Sequence, residues 1–278
     1  MSNAQAVAAM VERVSATDTD GPAYIEAKAV RKVFTSRDKT PVVALDGADL
    51  NIGVGEFVSL LGPSGCGKST LLSMIAGLVP ASDGSIRIEG SEVCEPYTNI
   101  GIVFQNDLLL DWHTVLGNVL VQYVMRGQDP KPHVERARAL IASVGLKDFE
   151  QKYPWELSGG MRQRVAICRA LIHEPPLLLM DEPFGALDAL TREQLQVDLQ
   201  RIWQGTRKTV VFVTHSIDEA IFLSDRVVVM TPRPGRIHEV LRINLHRPRS
   251  LAVRDSDVFA DNVRHVNHLF QTMGVIHE

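Results

Sequence analysis

The chain has 278 residues, of which 45% are hydrophobic and 22% are charged, a composition typical of a globular protein and unlike that of a disordered or collagen-like chain. Its 29 Lys and Arg against 33 Asp and Glu give a formal net charge of −4, so it lacks the positive field of a dedicated nucleic-acid binder. Three cysteines without a Cys-x-x-Cys pair favour a reducing compartment over a disulfide framework.

The apolar runs are short along the whole chain. None approaches the roughly 18 to 20 residues that a membrane-spanning helix requires. The N-terminal segment is interrupted by Glu12 and Arg13, which is unlike a secretory signal. We therefore expect a cytoplasmic protein that another chain must hold if it works at a membrane. Residues 1–21 end in a polar run before Pro22 and are predicted to be a flexible tail.

Strand-like and helix-like stretches alternate after this tail. Residues 55–61 predict a buried strand that leads into a glycine-rich turn, and a helix is predicted from Lys68 until Gly77 ends it. Further along, residues 134–144 have the apolar spacing of a helix closed by Gly145. This alternation predicts an α/β fold with a mainly parallel sheet.

The second half of the chain continues the alternation. Residues 177–180 and 209–214 predict strands that are covered on both faces. From residue 232 onward the chain is basic and interrupted by proline, and a helix is predicted near residues 257–272. This last part is too short for an independent domain, so we predict one main domain with a C-terminal extension.

The glycine-rich turn has the pattern Gly-x4-Gly-Lys-Ser between a predicted strand and a predicted helix. Its glycines let successive N–H groups point at phosphate oxygens, and the helix N-terminus adds positive potential. Lys68 would supply a charge for the β and γ phosphates, and Ser69 could bind Mg²⁺. The alternative is an ordinary turn with an exposed lysine, against which the strand–turn–helix context argues. The predicted ATP-binding residues here are Gly62, Pro63, Ser64, Gly65, Cys66, Gly67, Lys68, Ser69 and Thr70.

A second motif is acidic. The apolar run at 177–180 ends in Asp181 and Glu182, and strand carboxyl ends form the ligand crevice of a parallel sheet. Because successive residues point in different directions, one carboxylate can bind Mg²⁺ while the other reaches an attacking water. We assign Asp181 to the metal and Glu182 to the water. Taken alone, the pair could also be an exposed acidic turn.

Residues 157–164, Leu-Ser-Gly-Gly-Met-Arg-Gln-Arg, resemble the signature of ATP-binding cassette (ABC) proteins. Other motifs of that family stand at matching positions: Gln105 in the Q-loop, residues 185–188 in the D-loop with Asp188, His215 as the switch histidine, and Phe34 where an aromatic ring stacks on adenine. The resemblance covers roughly residues 24–237. Met161 stands where Gln is common, and neither this change nor Gly185 in place of Ser removes a catalytic group.

The resemblance implies a P-loop NTPase fold of the RecA-like type, with a mainly parallel sheet, an antiparallel β subdomain and an inserted helical subdomain at about residues 106–165. It implies a nucleotide-binding domain at 22–231, before the extension at 232–278. In the family two subunits pack head to tail, so that Ser158, Gly159 and Gly160 of one meet the ATP held by the other. By itself, this segment could be an ordinary helix capped by Ser158.

The resemblance also implies roles for two single residues. Gln105 would sense Mg²⁺ and water, and His215 would reach the γ-phosphate, held in place by a capping box between Ser216 and Glu219. A histidine at a strand end and an aromatic residue such as Phe34 are, in isolation, more often structural.

The spacing of the motifs reduces the number of ABC protein classes to which the chain could belong. Only about 90 positions separate Lys68 from Ser158, which leaves no room for the long coiled-coil insertion of the DNA-repair relatives. The apolar loop at 103–112 and the segment at 233–237 are similar to ATPase subunits of nitrate, sulfonate and taurine importers. We therefore expect a homodimeric ATPase at the cytoplasmic face of the plasma membrane, with a separate permease, a solute-binding protein acting indirectly, and no nucleic acid. The alternatives are a soluble ABC ATPase acting on nucleic acid or ribosomes, and a P-loop kinase. The loop at 103–112 could instead be core of the helical subdomain.

Overall fold

The computed structural model describes residues 11–19 and 21–276. In chain order the strands are β1 (Glu12–Val14), β2 (Ala23–Thr35), β3 (Pro41–Gly53), β4 (Phe57–Leu61), β5 (Asp83–Ile88), β6 (Ser91–Glu92), β7 (Ile100–Val103), β8 (Leu177–Asp181), β9 (Thr209–Thr214), β10 (Arg226–Met230) and β11 (Ile237–Arg242). The α-helices are α1 (Lys68–Ile75), α2 (Val115–Met125), α3 (Val134–Ser143), α4 (Gly159–Leu171), α5 (Ala189–Thr206), α6 (Ile217–Leu223) and α7 (Asp257–Thr272).

The chain divides into two compact units. The first unit comprises the described residues up to Thr98 and from Thr206 onward, and the second comprises Asn99–Gly205. The predicted boundaries of a nucleotide-binding domain at 22–231 and a helical subdomain at about 106–165 stay a prediction.

The first unit contains two sheets. In one, β4 pairs in parallel with both β10 and β9, and β11 pairs antiparallel with β10 and β1. Every residue of β4, β9 and β10 is buried, which explains why these strands are continuous apolar or β-branched runs. The other sheet is antiparallel, in the order β3, β2, β5, β6. The predicted α/β class with a parallel core and an antiparallel β subdomain is confirmed.

The second unit is mainly helical. It contains the parallel pair β7 and β8, in which Ile100 lies opposite Leu177. Helices α2, α3 and α4 enclose an apolar cluster that includes Val119, Ile141 and Cys168. Helix α3 covers the stretch in which apolar spacing predicted a helix, and its buried residues Ala137 and Ile141 are four positions apart, as one helix face requires.

Both ends of the described chain join the first unit. Residues 12–14, which the sequence assigns to a flexible tail, form β1 and pair with β11. Ion pairs of 3.2 Å from Glu12 to Arg242 and from Arg13 to Glu239 accompany this pairing. Residues 1–10 and 20 of the predicted tail lie outside the described residues. Helix α7 matches the predicted C-terminal helix. Across the described ranges, 11–19 and 21–276, there is no helix with the length and hydropathy for crossing a membrane.

Candidate functional site: a phosphate loop and a signature helix

The loop between β4 and α1 is shaped by glycines. Gly65 and Gly67 have φ angles of 76° and 101°, in the left-handed region that side chains with a Cβ rarely adopt. A Cβ on Gly67 would also lie only 2.7 Å from the carbonyl oxygen of Ala44 in β3. Glycine is therefore required at position 67 by both backbone conformation and space, as the predicted phosphate loop demands.

The side chain of Lys68 is hydrogen-bonded to the backbone of this loop. Its Nζ donates hydrogen bonds to the carbonyl oxygens of Gly62 at 2.8 Å and Pro63 at 3.0 Å, and its residue surface is 4% exposed. A buried ammonium group at a helix N-terminus attracts anions. Ser64 and Ser69 are exposed and Thr70 is half-buried.

His215 directly follows β9 and is exposed. The next residue, Ser216, caps α6 by accepting a hydrogen bond from the N–H of Glu219 at 3.3 Å. The carboxylate of Glu219 accepts a 2.6 Å hydrogen bond from Thr214 Oγ1. The serine half of the predicted capping box is thus present. The N–H of Ser216 donates to Thr214 Oγ1 at 3.0 Å, so Thr214 links the strand end to the helix in a way that the sequence pattern did not predict.

Phe34 lies near the end of β2 and is 41% exposed. The ammonium of Lys32 lies 5.1 Å from its ring centroid. An exposed aromatic face with a cation beside it can stack on a base. This exposure agrees with a base platform and distinguishes Phe34 from the buried core aromatics.

The acidic motif of the second unit lies at the end of β8. Glu182 has a φ of 43°, a conformation that non-glycine residues seldom hold and that occurs at functional sites. A Cβ on Gly185 would lie 3.4 Å from Gln105 Nε2 and 3.9 Å from Glu182 Oε2. The structure thus brings the side chains of Gln105 and Glu182 to the same glycine, while Asp181 ends the strand beside them.

The signature segment begins α4. Ser158 caps the helix by accepting from the N–H of Met161 at 3.3 Å. Ser158 and Gly159 are exposed, whereas Gly160 is buried. Behind this start, Val165, Cys168 and Leu171 are buried with Met161 partly buried, so the predicted apolar face is confirmed. Burial also raises the pKa of the Cys168 thiol to about 12.

A residue outside the motifs joins the signature helix to the D-loop. A Cβ on Gly160 would overlap the side chain of Thr191 in α5. The carboxylate of Asp188 accepts a 3.0 Å hydrogen bond from the N–H of Thr191, and this bond lowers the pKa of Asp188. No pattern in the sequence singled out Thr191, because its role depends on the packing of α5 against α4.

The predicted site residues therefore fall into two groups. Phe34, residues 62–70 and His215 belong to the first unit, and Gln105, residues 158–160, Asp181, Glu182 and Asp188 belong to the second. Within the second group the structure brings Gln105 to Glu182 and Gly160 to Thr191 beside Asp188.

Known proteins with sequences similar to this chain identify its family. The profile of the ABC transporter family matches residues 45–185. The taurine import ATP-binding protein TauB of Rhizobium johnstonii is 51% identical over 219 residues, which are 79% of this chain and 83% of that protein. The aliphatic sulfonates import ATP-binding protein SsuB of Bacillus cereus is 43% identical over 247 residues, 89% of this chain and 96% of that protein.

Solved structures give the same result. The ABC transporter cassette MJ0796, solved as a dimer, aligns with a TM-score of 0.71 and 33% identity over 80% of this chain and all of that one. Its dimeric post-hydrolysis state bound to ADP and Pi aligns with a TM-score of 0.68 and 30% identity over the same shares. With a matching profile, relatives at this identity and the same fold, the chain belongs to the ABC transporter family.

Proposed function

We propose that this chain is the ATP-binding and ATP-hydrolysing subunit of an ABC importer, working as a homodimer with a separate membrane permease. One observation carries the dimer: the chain has two helix N-termini suited to phosphate, at α1 and at α4. At α1, Lys68 of the same chain donates a hydrogen bond to the loop carbonyl oxygen of Gly62. At α4, Ser158 and Gly159 are exposed. The exposed one is available to ATP held by a second subunit.

The residues present suit Mg²⁺ with ATP. Ser69, Gln105 and Asp181 offer a hydroxyl, an amide oxygen and a carboxylate, which are the hard oxygen donors that Mg²⁺ prefers. Within residues 11–19 and 21–276, no three His, Cys, Asp or Glu side chains cluster as a metal cage, and Mg²⁺ is commonly held by one or two carboxylates together with substrate phosphates. When bound, Mg²⁺ would neutralise charge on the β and γ phosphate oxygens.

The remaining residues act on the phosphates and the attacking water. Lys68 and the backbone N–H groups of residues 64–70 hold the phosphates, with Gly62 and Pro63 shaping the start of the loop, and Phe34 stacks on the adenine. Glu182 accepts a proton from the water that attacks the γ-phosphorus, while the bond to the leaving ADP oxygen breaks and inorganic phosphate is released. His215 contacts the γ-phosphate and reports its presence to α6. Asp188 and residues 158–160 complete the site from the second subunit.

The permease would dock on the loop that follows β7. Leu108 and Trp112 are exposed, by 56% and 73%, while Leu109 packs against the core of the second unit. Of these three residues, only Leu109 packs in the core of the helical unit, which was the alternative interpretation of this loop. Arg169 donates to the carbonyl oxygens of Asp107 and Leu108 at 2.6 and 2.7 Å, and it holds the loop firmly enough to present an apolar surface.

The solute class follows from the relatives. Proteins named for taurine and aliphatic sulfonate import favour a small organic sulfonate or a similar anion, delivered to the permease by a solute-binding protein. The subunit would work at the cytoplasmic face of the plasma membrane. The relatives and the acidic net charge of −4 favour this function over action on nucleic acid or ribosomes.

Purification of the tagged chain from membranes of its own host tests this function. We expect an integral membrane protein to co-purify, and MgATP hydrolysis to increase when the complex is reconstituted with solute and its binding protein. Co-purification of RNA or ribosomes in place of a membrane protein would support the alternative. A Glu182→Gln chain that stays monomeric with saturating MgATP and permease would overturn the dimer.

A further inference from the structure

Residues 231–236, Thr-Pro-Arg-Pro-Gly-Arg, join β10 to β11, and the proposed function assigns them no role. We propose that this segment, the brace loop, holds the phosphate loop in its binding conformation, with Gly235 and the Asp46–Arg236 ion pair as positioning residues for nucleotide binding. The inference rests on the proposed function, because it concerns how ATP is held.

Gly235 is bonded to β3 on both sides. Its N–H donates to the carbonyl oxygen of Ala44 at 3.1 Å, and its own carbonyl oxygen accepts from the N–H of Asp46 at 2.9 Å. The two hydrogen bonds form a parallel bridge between Gly235 and Leu45. The brace loop is therefore hydrogen-bonded to β3 at one residue, Gly235, and this bridge fixes its register against β3.

The same glycine lies against the phosphate loop. A Cβ on Gly235 would overlap the carbonyl oxygen of Cys66 and lie 3.2 Å from that of Ala44. The Ala44 oxygen is also the atom that a Cβ on Gly67 would meet at 2.7 Å. Thus β3, the brace loop and the phosphate loop are in direct backbone contact, and there is no room for a methyl group at their meeting point.

This contact has a directional consequence. The Cys66 carbonyl and the Gly67 N–H belong to one planar peptide group and point in opposite directions. Packing the carbonyl oxygen of Cys66 against Gly235 therefore sets the direction of the Gly67 N–H, one of the donors of the phosphate loop. The first residue of the phosphate loop also has little space for a side chain, because a Cβ on Gly62 would lie 3.1 Å from the carbonyl oxygen of Met230 at the end of β10.

The brace loop is itself held in shape. The N–H of Thr231 donates to the carbonyl oxygen of Arg236 at 2.9 Å, and Thr231 Oγ1 accepts from the N–H of Arg236 at 3.0 Å. The guanidinium of Arg236 binds Asp46 and lowers the pKa of that carboxyl, and Arg31 adds a 3.3 Å ion pair to the same residue. Asp46 is two positions from Ala44, so the ion pair clamps the brace loop beside its contact with β3.

The first test is Gly235→Ala in the full chain, with Gly205→Ala as the matched control. Gly205 lies in α5 with open space around its Cβ position. Binding of a fluorescent ATP analogue with Mg²⁺ should weaken by about 10- to 100-fold in Gly235→Ala, since a misdirected Gly67 N–H loses its hydrogen bond to a charged phosphate oxygen. The control should bind like the wild type. A merely structural role would lower the unfolding midpoint and leave the Kd unchanged, which would overturn the proposal.

A second set of variants covers the case in which Gly235→Ala does not fold. Arg236→Gln and Asp46→Asn remove the clamp without adding volume at the contact, and each should weaken binding about two- to fivefold, the range of an exposed ion pair. The double variant should lose no more than Asp46→Asn alone, which also breaks the ion pair with Arg31, and Arg236→Lys should recover part of the affinity. Unchanged Kd values in all of these variants would overturn the proposal that the brace loop positions the phosphate loop. Failure of the wild-type chain to bind the analogue would instead overturn the proposed function.

Discussion

The chain contains two glycine-rich turns that each begin a helix, and the structure treats them differently. In the phosphate loop, Gly67 packs against the carbonyl group of Ala44 in β3, and Lys68 donates hydrogen bonds to carbonyl oxygens of its own loop. At the signature turn, Gly160 packs against Thr191, while Ser158 and Gly159 are exposed. A Cβ on Gly159 would meet nothing closer than 3.9 Å, at the guanidinium of Arg162.

This difference indicates how the two turns are used. The phosphate loop is complete within one chain, because its conformation, its cation and its supports all belong to the first unit. The signature turn has an N-terminus fixed in direction by α4 but open at its outer surface. A turn whose helix side is packed and whose outer side is exposed is suited to contact a ligand held by another molecule. Variants that separate binding from dimer formation sharpen the contrast.

The largest effect is expected for Glu182→Gln. The amide keeps the shape of the side chain but cannot accept the proton of the attacking water, so steady-state hydrolysis should fall by about 100- to 10,000-fold. ATP binding should remain, and an ATP-dependent dimer should accumulate, as measured by phosphate release and light scattering. Near-normal turnover would show that another group is the base.

Gly159→Asp tests the open turn. The position has room for a side chain, and an acidic residue in the first turn of α4 favours the helix, so the unfolding midpoint should not fall. The new charge would face the phosphates held by the second subunit, where like-charge contact costs several kcal/mol. We expect the ATP-dependent dimer of the Glu182→Gln background to weaken by about 100-fold or more. Gly159→Ala is the uncharged control; equal loss in both would point to volume instead of charge.

Lys68→Ala tests the closed turn. Hydrogen bonds to charged groups contribute about 1.5 to 3 kcal/mol, so ATP affinity should decrease by about 10- to 100-fold. Isothermal titration with MgATP measures this loss, and Lys147→Ala, at an exposed lysine, is the control. Weakened dimer formation with unchanged ATP affinity would contradict the assignment of Lys68 to phosphate binding.

The smallest effect concerns the packing behind each turn. The thiolate is the reactive form of cysteine, and burial raises the pKa of Cys168 in α4 to about 12. Cys66 in the phosphate loop is buried as well, whereas Cys94 is exposed. With iodoacetamide at pH 8, mass spectrometry should find Cys94 modified first and the other two only after unfolding. Early modification of Cys168 would indicate that the core behind the signature turn opens.

Much of the fold and site can be predicted from local patterns. Strands β8 and β9 match continuous apolar runs because both of their faces are buried. Helix α3 matches apolar spacing because it buries one periodic face, and helix α7 has the predicted range. The predicted tail differs from the structure at β1, since three residues carry too little pattern to reveal a partner strand more than two hundred positions away. The serine caps of α4 and α6 were predictable because a cap bonds within three residues.

The amino-acid sequence by itself determined the chemistry: a lysine and glycines before a helix, two carboxylates after a strand, and a serine with two glycines before another helix. These groups act through backbone N–H direction and charge, which local spacing sets. Only the tertiary structure decided where a side chain in place of glycine would meet other atoms. The absence of a Cβ matters at Gly67, Gly160 and Gly235 because of atoms from Ala44, Thr191 and Cys66, and such contacts between distant segments form only when the chain packs.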